Sequence, residues 1–167
     1  IRRSGELGYL PQDPRTGDLT VTARERILSA RGLDTIVRDR RLAEQRMAAA
    51  DDAIREKAMR RYARLEDEFA SAGGYAAESE AASIASALGI DEQRMDQELG
   101  SLSGGQRRRV ELARILFSGA ETLLLDEPTN HLDADSITWL RSFLQNHDGG
   151  LIVISHDVEL LADVVNK

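Results

Sequence analysis

Two adjacent carboxylates follow a short apolar run, a pattern that can hold a metal ion and activate water. Residues 123–125 are three leucines, and they lead directly into Asp126 and Glu127. A continuous apolar run is typical of a strand covered on both faces, and open α/β sheets bind ligands at the carboxyl ends of their strands. One carboxylate can hold Mg2+ while the other activates a nucleophilic water. Taken alone, the segment is equally consistent with a buried strand that ends in an acidic turn.

A pair of glycines stands just before a predicted helix. Ser103, Gly104, Gly105 and Gln106 are followed by three arginines and an apolar helical pattern. Glycine lets the backbone approach a phosphate closely, and the N-terminus of a helix offers unpaired N–H groups at the positive end of its dipole. The segment predicts an anion-binding site, although a serine-capped helix after a flexible turn has the same signature.

A histidine and a glutamine extend this set of polar candidates. His156 follows the apolar run of residues 151–154, so parallel strands would bring it to the same sheet edge as Glu127. There it can form a hydrogen bond with a terminal phosphate. Gln12 follows a short predicted strand, and its amide can reach a metal ion or an attacking water. A surface histidine beside a capping serine, and a turn glutamine, are the structural alternatives.

The composition bounds the class of protein. The chain has 167 residues, 22 Lys plus Arg, 29 Asp plus Glu and a formal net charge of −7. One domain with an appendage is the expected organisation. The absence of cysteine excludes disulfides and thiolate zinc sites and suits a reducing cytosol, so we expect a cytoplasmic protein. No apolar run approaches the roughly 20 residues that cross a bilayer. The chain starts at Ile1 and shows no signal peptide, so we interpret it as part of a longer protein.

The periodicity divides the chain into a helical part and an alternating part. A strand is predicted over residues 6–10, and helices over 20–29, 34–69 and 76–88, where an interruption at 48–52 favours an antiparallel helix pair over one long helix. After Gly105 helices alternate with strands at 122–125 and 151–154. This alternation predicts an α/β fold with parallel strands and crossover helices.

The segment from 38 to 64 is basic in an acidic chain. It carries nine Arg or Lys residues against five Asp or Glu residues, a net charge of +4. Clustered arginines can bind a polyanion, and a solvated helix face with paired charges is an equally good interpretation. The nine cations, which we take as candidate RNA contacts, are Arg38, Arg40, Arg41, Arg46, Arg55, Lys57, Arg60, Arg61 and Arg64.

Taken in order, these motifs resemble those of the ATP-binding cassette (ABC) superfamily. The resemblance covers nearly everything outside residues 13–101. The segments that carry it are Gln12 (Q-loop), residues 102–106 (signature motif), residues 123–127 (Walker B strand with its catalytic glutamate), Leu132 and Asp133 (D-loop) and His156 (H-loop). The resemblance implies a partial P-loop NTPase core with a helical arm and signature subdomain, and ATP and Mg2+ as ligands.

Two segments are similar to family F of this superfamily, whose twin-cassette proteins act on ribosomes. Residues 127–133 match its typical sequence after the Walker B strand, and residues 62–75 are similar to the second helix of the arm carried by its first cassette. This implies four parts: the Q-loop strand and start of the helical subdomain (1–32), the arm (33–75), the signature subdomain (76–118) and the remaining ATPase core (119–167). The arm of this family faces ribosomal RNA, protein or tRNA, so the ribosome is the expected partner.

The resemblance also implies a catalytic or binding role for each of these residues. Two ATP molecules would lie between this cassette and a second cassette of the same full-length chain. Asp126 and Gln12 would organise Mg2+, Glu127 would polarise the attacking water with help from Gln12, and His156 would contact the γ-phosphate. The signature residues Ser103, Gly104, Gly105 and Gln106 would bind the ATP of the opposite cassette, next to the D-loop residue Asp133.

One motif of the superfamily is not found in the chain. A phosphate-binding Walker A loop needs a Gly-Lys pair, and neither Lys57 nor Lys167 follows a glycine. In the superfamily this loop precedes the Q-loop, so we expect it upstream and expect this chain alone to hydrolyse little ATP. We also expect a core strand beside the Walker B strand to be missing, which would leave pairing groups exposed and allow self-association.

Three other functions remain open. The nucleotide-binding subunit of a membrane transporter shares these motifs but needs a partner membrane domain. A DNA-repair or chromosome cassette would carry a much longer coiled-coil insertion than residues 34–69 allow. A purely structural module would not need Asp126, Glu127 and His156. Within family F, the sequence leaves open whether the protein is a translation factor or protects ribosomes from antibiotics.

Overall fold

The strands lie in one parallel sheet. The computed structural model of the protein describes residues 6–11 and 17–165. Within these residues the strands β1 (Leu7–Leu10), β2 (Thr122–Asp126) and β3 (Gly150–Ile154) pair in the order β1-β2-β3. The register places Leu10 opposite Leu125, and Leu125 opposite Val153. The predicted α/β fold with parallel strands is therefore confirmed.

The helices follow the predicted periodicity closely. In chain order they are α1 (Ala23–Leu28), α2 (Asp34–Met47), α3 (Asp52–Ser71), α4 (Gly74–Ala87), α5 (Glu92–Met95), α6 (Gly104–Phe117), α7 (Ala134–Gln145) and α8 (Val158–Val165), with 3-10 turns at Ser29–Arg31 and Leu99–Ser101. Helix α5 and the 3-10 turn at Leu99–Ser101 were not predicted, because a single turn is too short to show a helical period.

Local side-chain chemistry fixes where the helices begin. Thr22 and Glu25 form a capping box at the start of α1, in which each side chain accepts a hydrogen bond from the backbone N–H of the other residue. Between α3 and α4 the chain turns at Gly73, whose φ of 70° is a left-handed conformation that glycine adopts without strain. These signals explain why the helix ends were predictable from residue types alone.

Residues 34–71 form two helices rather than one long one. Helices α2 and α3 pack side by side, and small Ala43 and Ala58 are buried between polar faces. An ion pair of 3.1 Å joins Arg40 to Glu66, and another joins Asp39 to Arg61. Because only residues 48–51 connect these two side-by-side helices, the helices are antiparallel. We call this helix pair the arm.

A continuous apolar core joins the helical part to the sheet. Phe69, Phe117, Leu28 and Leu99 are fully buried on the helical side, and Leu125 is fully buried in the sheet. Helix α6 contributes to both sides, since it packs against α1, α4 and β1. Helix α6, which begins at the glycine pair, thus packs against both the helical part and the sheet.

The sheet is covered on one face only within the described residues. Leu123 and Leu125 face the helices and are buried, whereas Tyr9, Ile152 and Ile154 on the opposite face are half or more exposed. The expectation of a missing strand beside the Walker B strand is wrong, because β2 pairs with β1 on one side and β3 on the other. Among the described residues β1 and β3 form the two edges of the sheet.

Among the described residues, none of the helices combines the length and the apolar character needed to span a membrane.

Candidate functional site

The carboxyl end of β2 presents Glu127 in a constrained conformation. Its backbone N–H donates to the carbonyl of Ile154 over 2.8 Å, which extends the sheet by one residue. Its φ is 49°, a left-handed value that costs a non-glycine residue about 1–2 kcal/mol. The residue is 7% exposed. A strained and buried carboxylate at a sheet edge is typical of a functional site.

His156 meets this carboxylate from the end of β3. Its Nε2 lies 3.4 Å from Glu127 Oε1, and its backbone N–H donates to Glu127 Oε2 over 3.3 Å. The imidazole is 99% exposed, so its outer face is open to a ligand. The structure therefore brings together two residues that the sequence placed at one edge. The backbone N–H of His156 orients the carboxylate, which can accept a proton from a water molecule that approaches from solvent.

Asp126 supplies the oxygen ligands that a hard cation needs. It is half-buried at the end of β2, beside Glu127. Among the described residues there is no group of three or more His, Cys, Asp or Glu side chains that could hold a metal ion by themselves. Mg2+ usually binds through one or two carboxylates together with the phosphates of its substrate. The Asp126–Glu127 pair fits a magnesium ion that arrives with a nucleotide.

The glycine pair opens helix α6, as predicted. Ser103 and Gln106 form a capping box: the Ser103 hydroxyl accepts the Gln106 N–H over 3.2 Å, and the Gln106 side chain accepts the Ser103 N–H over 2.8 Å. A Cβ added at Gly104 would meet no heavy atom within 4 Å. The first turn of this 14-residue helix thus has free space beside its N–H groups, which suits an anion.

The remaining predicted site residues are Asp133 and Gln12. Asp133 caps helix α7 by accepting the Ser136 N–H over 2.9 Å, and this hydrogen bond lowers the pKa of its carboxyl below the ordinary value. Gln12 lies outside the described residues, so its predicted role stays a prediction. The role of the signature motif toward a second cassette likewise stays a prediction.

Sequence reasoning missed two arginines on α6. Arg108 donates to backbone carbonyls at the end of β2, and Arg109 Nε donates to the carbonyl of His131 over 2.8 Å. Arg108 is buried although it is charged. Its position four residues before buried Leu112 places it on the core-facing side of the helix, which is the sequence signal that could have identified it.

The nine candidate RNA contacts differ in how strongly the fold uses them. Arg40 lies 4.2 Å over the ring of Phe69 and pairs with Glu66, and Arg41 lies 3.0 Å from buried Glu25. Arg40 therefore joins the two helices of the arm to each other, and Arg41 joins the arm to α1. The other cations are exposed, and they are Arg38, Arg46, Arg55, Lys57, Arg60, Arg61 and Arg64. Arg55, Arg60 and Arg61 make ion pairs at the surface of the arm.

Three of the exposed cations surround one groove. Lys57, Arg61 and Arg64 line a groove of about 400 Å3 between α2 and α3, which we call the arm groove. Ile36 and Leu65 also line it, as do two acidic residues. A groove lined by both cations and apolar side chains is able to bind a phosphate backbone with a base packed beside it.

A family profile described as "ABC transporter" matches residues 2–130. This range holds the glycine pair and the two carboxylates at the end of β2.

Three curated relatives are similar over much of the chain. The ATP-binding protein YdiF of Bacillus subtilis is 42% identical over 120 residues, which is 72% of this chain and 19% of the relative. The energy-dependent translational throttle protein EttA of Escherichia coli is 38% identical over 160 residues, 95% of this chain and 28% of the relative. The tylosin resistance ATP-binding protein TlrC of Streptomyces fradiae is 39% identical over 162 residues, 92% of this chain and 28% of the relative. The chain thus spans 19% to 28% of the length of these relatives.

A solved structure has a similar fold. The ATP-binding cassette MJ0796, in a dimeric post-hydrolysis state bound to ADP and Pi, matches 95% of this chain and 55% of its own length with a TM-score of 0.56 and 21% identity. At this identity the likeness concerns the fold alone.

Proposed function

The chain belongs to the ABC transporter family of ATP-binding cassettes, and from this premise we propose that it is part of a family F ATPase that acts on the ribosome. The observation that carries the ATPase proposal is the contact between Glu127 and His156 at the carboxyl edge of a parallel sheet. This arrangement orients a carboxylate at the edge where open α/β sheets bind their ligands. The ribosomal part of the proposal rests on the arm and on relatives named for translational throttling and tylosin resistance.

In this proposal each residue acts on a nucleotide brought in with Mg2+, which supplies a positive charge against the phosphates. Asp126 holds the ion, with Gln12 as a further ligand. Glu127 accepts a proton from the attacking water, and His156 donates to the terminal phosphate. The first turn of α6, from Ser103 to Gln106, binds the terminal phosphate of the ATP on a second cassette.

The exposed face of the sheet and the β3 edge are where we expect the rest of the cassette to pack. Ile152 and Ile154 are exposed on β3, and an exposed parallel edge is a site for strand pairing. We propose that a strand carrying the Walker A loop pairs with β3 in the intact protein. This chain alone would then have little ATPase activity, and pairing of its β3 edge with a second copy is the alternative.

The arm groove supports an RNA partner. Lys57, Arg61 and Arg64 lie on one face of α3, away from the arginines that hold the arm in place. These three side chains are exposed, so they can leave the neighbouring carboxylates and pair with phosphates instead. We propose that this face contacts ribosomal RNA or tRNA, and that ATP binding and hydrolysis control when the arm is held there.

The test is co-sedimentation of the full-length protein carrying Glu127→Gln with 70S ribosomes, with and without ATP. We expect ATP-dependent binding, because the variant binds ATP but cannot hydrolyse it. ATP hydrolysis by this variant at the wild-type rate would contradict the role of Glu127. Absence of ribosome binding with any nucleotide would contradict the ribosomal proposal and favour the transporter subunit, which needs a membrane partner.

A charge-matched pair of variants tests the arm groove. The triple change of Lys57, Arg61 and Arg64 to Gln should weaken ribosome binding strongly and reduce its dependence on salt. The control triple changes Arg46, Arg55 and Arg60 to Gln, which removes the same charge from the arm outside the groove. Equal losses in both triples would mean that the groove has no special role, even if the ribosome is the partner.

A further inference from the structure

One buried side chain connects the signature helix to the catalytic end of the sheet. We propose that Arg108 is a positioning residue that fixes the backbone of Asp126 and Glu127 for ATP hydrolysis. Its Nη1 donates to the carbonyl of Pro11 over 3.0 Å, and its Nη2 donates to the carbonyls of Asp126 and Glu127 over 2.7 and 3.0 Å. This inference rests on the proposed ATPase function and names the residue that supports the same site.

The three carbonyls belong to the segments that carry the predicted metal and water ligands. Pro11 directly precedes Gln12, Asp126 ends β2, and Glu127 adopts the left-handed φ of 49°. A hydrogen bond to the Glu127 carbonyl fixes the following peptide and so stabilises this conformation. Since the backbone at Glu127 sets the direction of its carboxylate, Arg108 controls where that carboxylate meets His156 and water.

An arginine suits this position better than any other side chain. Its planar guanidinium presents several N–H donors in fixed directions, so two nitrogens can serve three carbonyls that belong to different segments. Lysine has donors on one nitrogen only, and an apolar side chain has none. Residue 108 is 7% exposed, so water has poor access to replace the lost hydrogen bonds.

Two other arginines of α6 make different contacts, and one of them provides a control variant for Arg108. Arg109 donates to the carbonyl of His131, before helix α7. Arg114 pairs with Glu111 over 2.9 Å on the side of α6 that faces α1, and Glu111 keeps a second partner, Arg26. Changing Arg114 therefore removes one charge and one ion pair from the same helix without contact to the end of β2.

The test compares Arg108→Met, Arg108→Lys and the control Arg114→Met in the full-length protein. We expect Arg108→Met to lower kcat by on the order of tenfold to a hundredfold, because misplacing a reacting group by about 1 Å has effects of that size. The dissociation constant for ATP should change less than threefold, and Arg108→Lys should recover part of kcat. Arg114→Met should keep kcat near the wild-type value, even if its thermal midpoint is as low as that of Arg108→Met or lower.

The outcomes separate this inference from the proposed function. If Arg108→Met lowers kcat no more than Arg114→Met does, or weakens ATP binding in parallel with kcat, Arg108 does not position the catalytic carboxylate. If the wild-type protein shows no ATPase activity that depends on Glu127, the proposed function itself fails, whatever the variants do.

Discussion

Gly104 offers a change that separates folding from function. A Cβ added there meets no heavy atom within 4 Å, and Gly104 is not among the glycines with positive φ. Alanine is therefore compatible with the backbone at the first position of α6. Alanine is favoured over glycine by up to about 1 kcal/mol inside a helix, and we expect about half of that in the first turn. In a domain of this size the thermal midpoint should rise by about 1–2 °C.

The same methyl group should weaken phosphate binding. If the terminal phosphate of ATP on a second cassette approaches the N–H groups of this turn, the Cβ occupies the space that it needs. Losing one hydrogen bond to a charged group costs about 1.5–3 kcal/mol, which corresponds to roughly 10- to 150-fold weaker ATP-dependent closure. Closure can be measured in the full-length Glu127→Gln background by energy transfer between dyes on the two cassettes.

Gly17 provides the control for this prediction. It is exposed, and a Cβ there also meets nothing within 4 Å, but it lies outside the predicted phosphate sites. Gly17→Ala should leave closure and ATPase activity unchanged. A lower thermal midpoint for Gly104→Ala would refute the steric reasoning, and unchanged closure would refute the assignment of this turn to phosphate.

Two further predictions concern stability, both measured by urea unfolding. Gly74→Ala should destabilise the protein by about 1–3 kcal/mol, because the new Cβ collides with the buried ring of Phe69; an unchanged midpoint would show that the ring can move. The hydrogen bond from Ser136 lowers the pKa of Asp133, so its stabilisation is present above about pH 4 and is lost as pH falls through the lowered pKa. Asp133→Asn keeps a cap that does not titrate, so its unfolding free energy should fall less steeply with acid, and parallel curves would contradict this.

The parts of the fold that sequence could predict depend on neighbours in the chain. Thr22 with Glu25, and Ser103 with Gln106, are capping boxes that need only a spacing of three residues. The break between α2 and α3 follows from Asp51, whose side chain caps α3 by accepting the Ile54 N–H. Each of these signals acts within one turn, so its outcome can be determined from residue types alone.

The features that could not be predicted depend on residues far apart in sequence. The contact between Glu127 and His156 needs the register of β2 against β3 and the left-handed turn at Glu127. The three carbonyls bound by Arg108 lie at the carboxyl ends of β1 and β2, which are far apart in the sequence. The apolar pattern of residues 151–154 predicts a strand covered on both faces, yet Ile152 and Ile154 are exposed because the described residues place no helix over them.

Two ion pairs connect the arm to the signature helix through α1. Arg41 at the arm pairs with Glu25, and the next residue of α1, Arg26, lies 2.5 Å from Glu111 on α6. The two carboxylates are each 2% exposed. Leaving a buried carboxylate without its cation is costly, so these pairs resist separation. Helix α1 is thus held to both α6 and the arm by ion pairs whose carboxylates are buried.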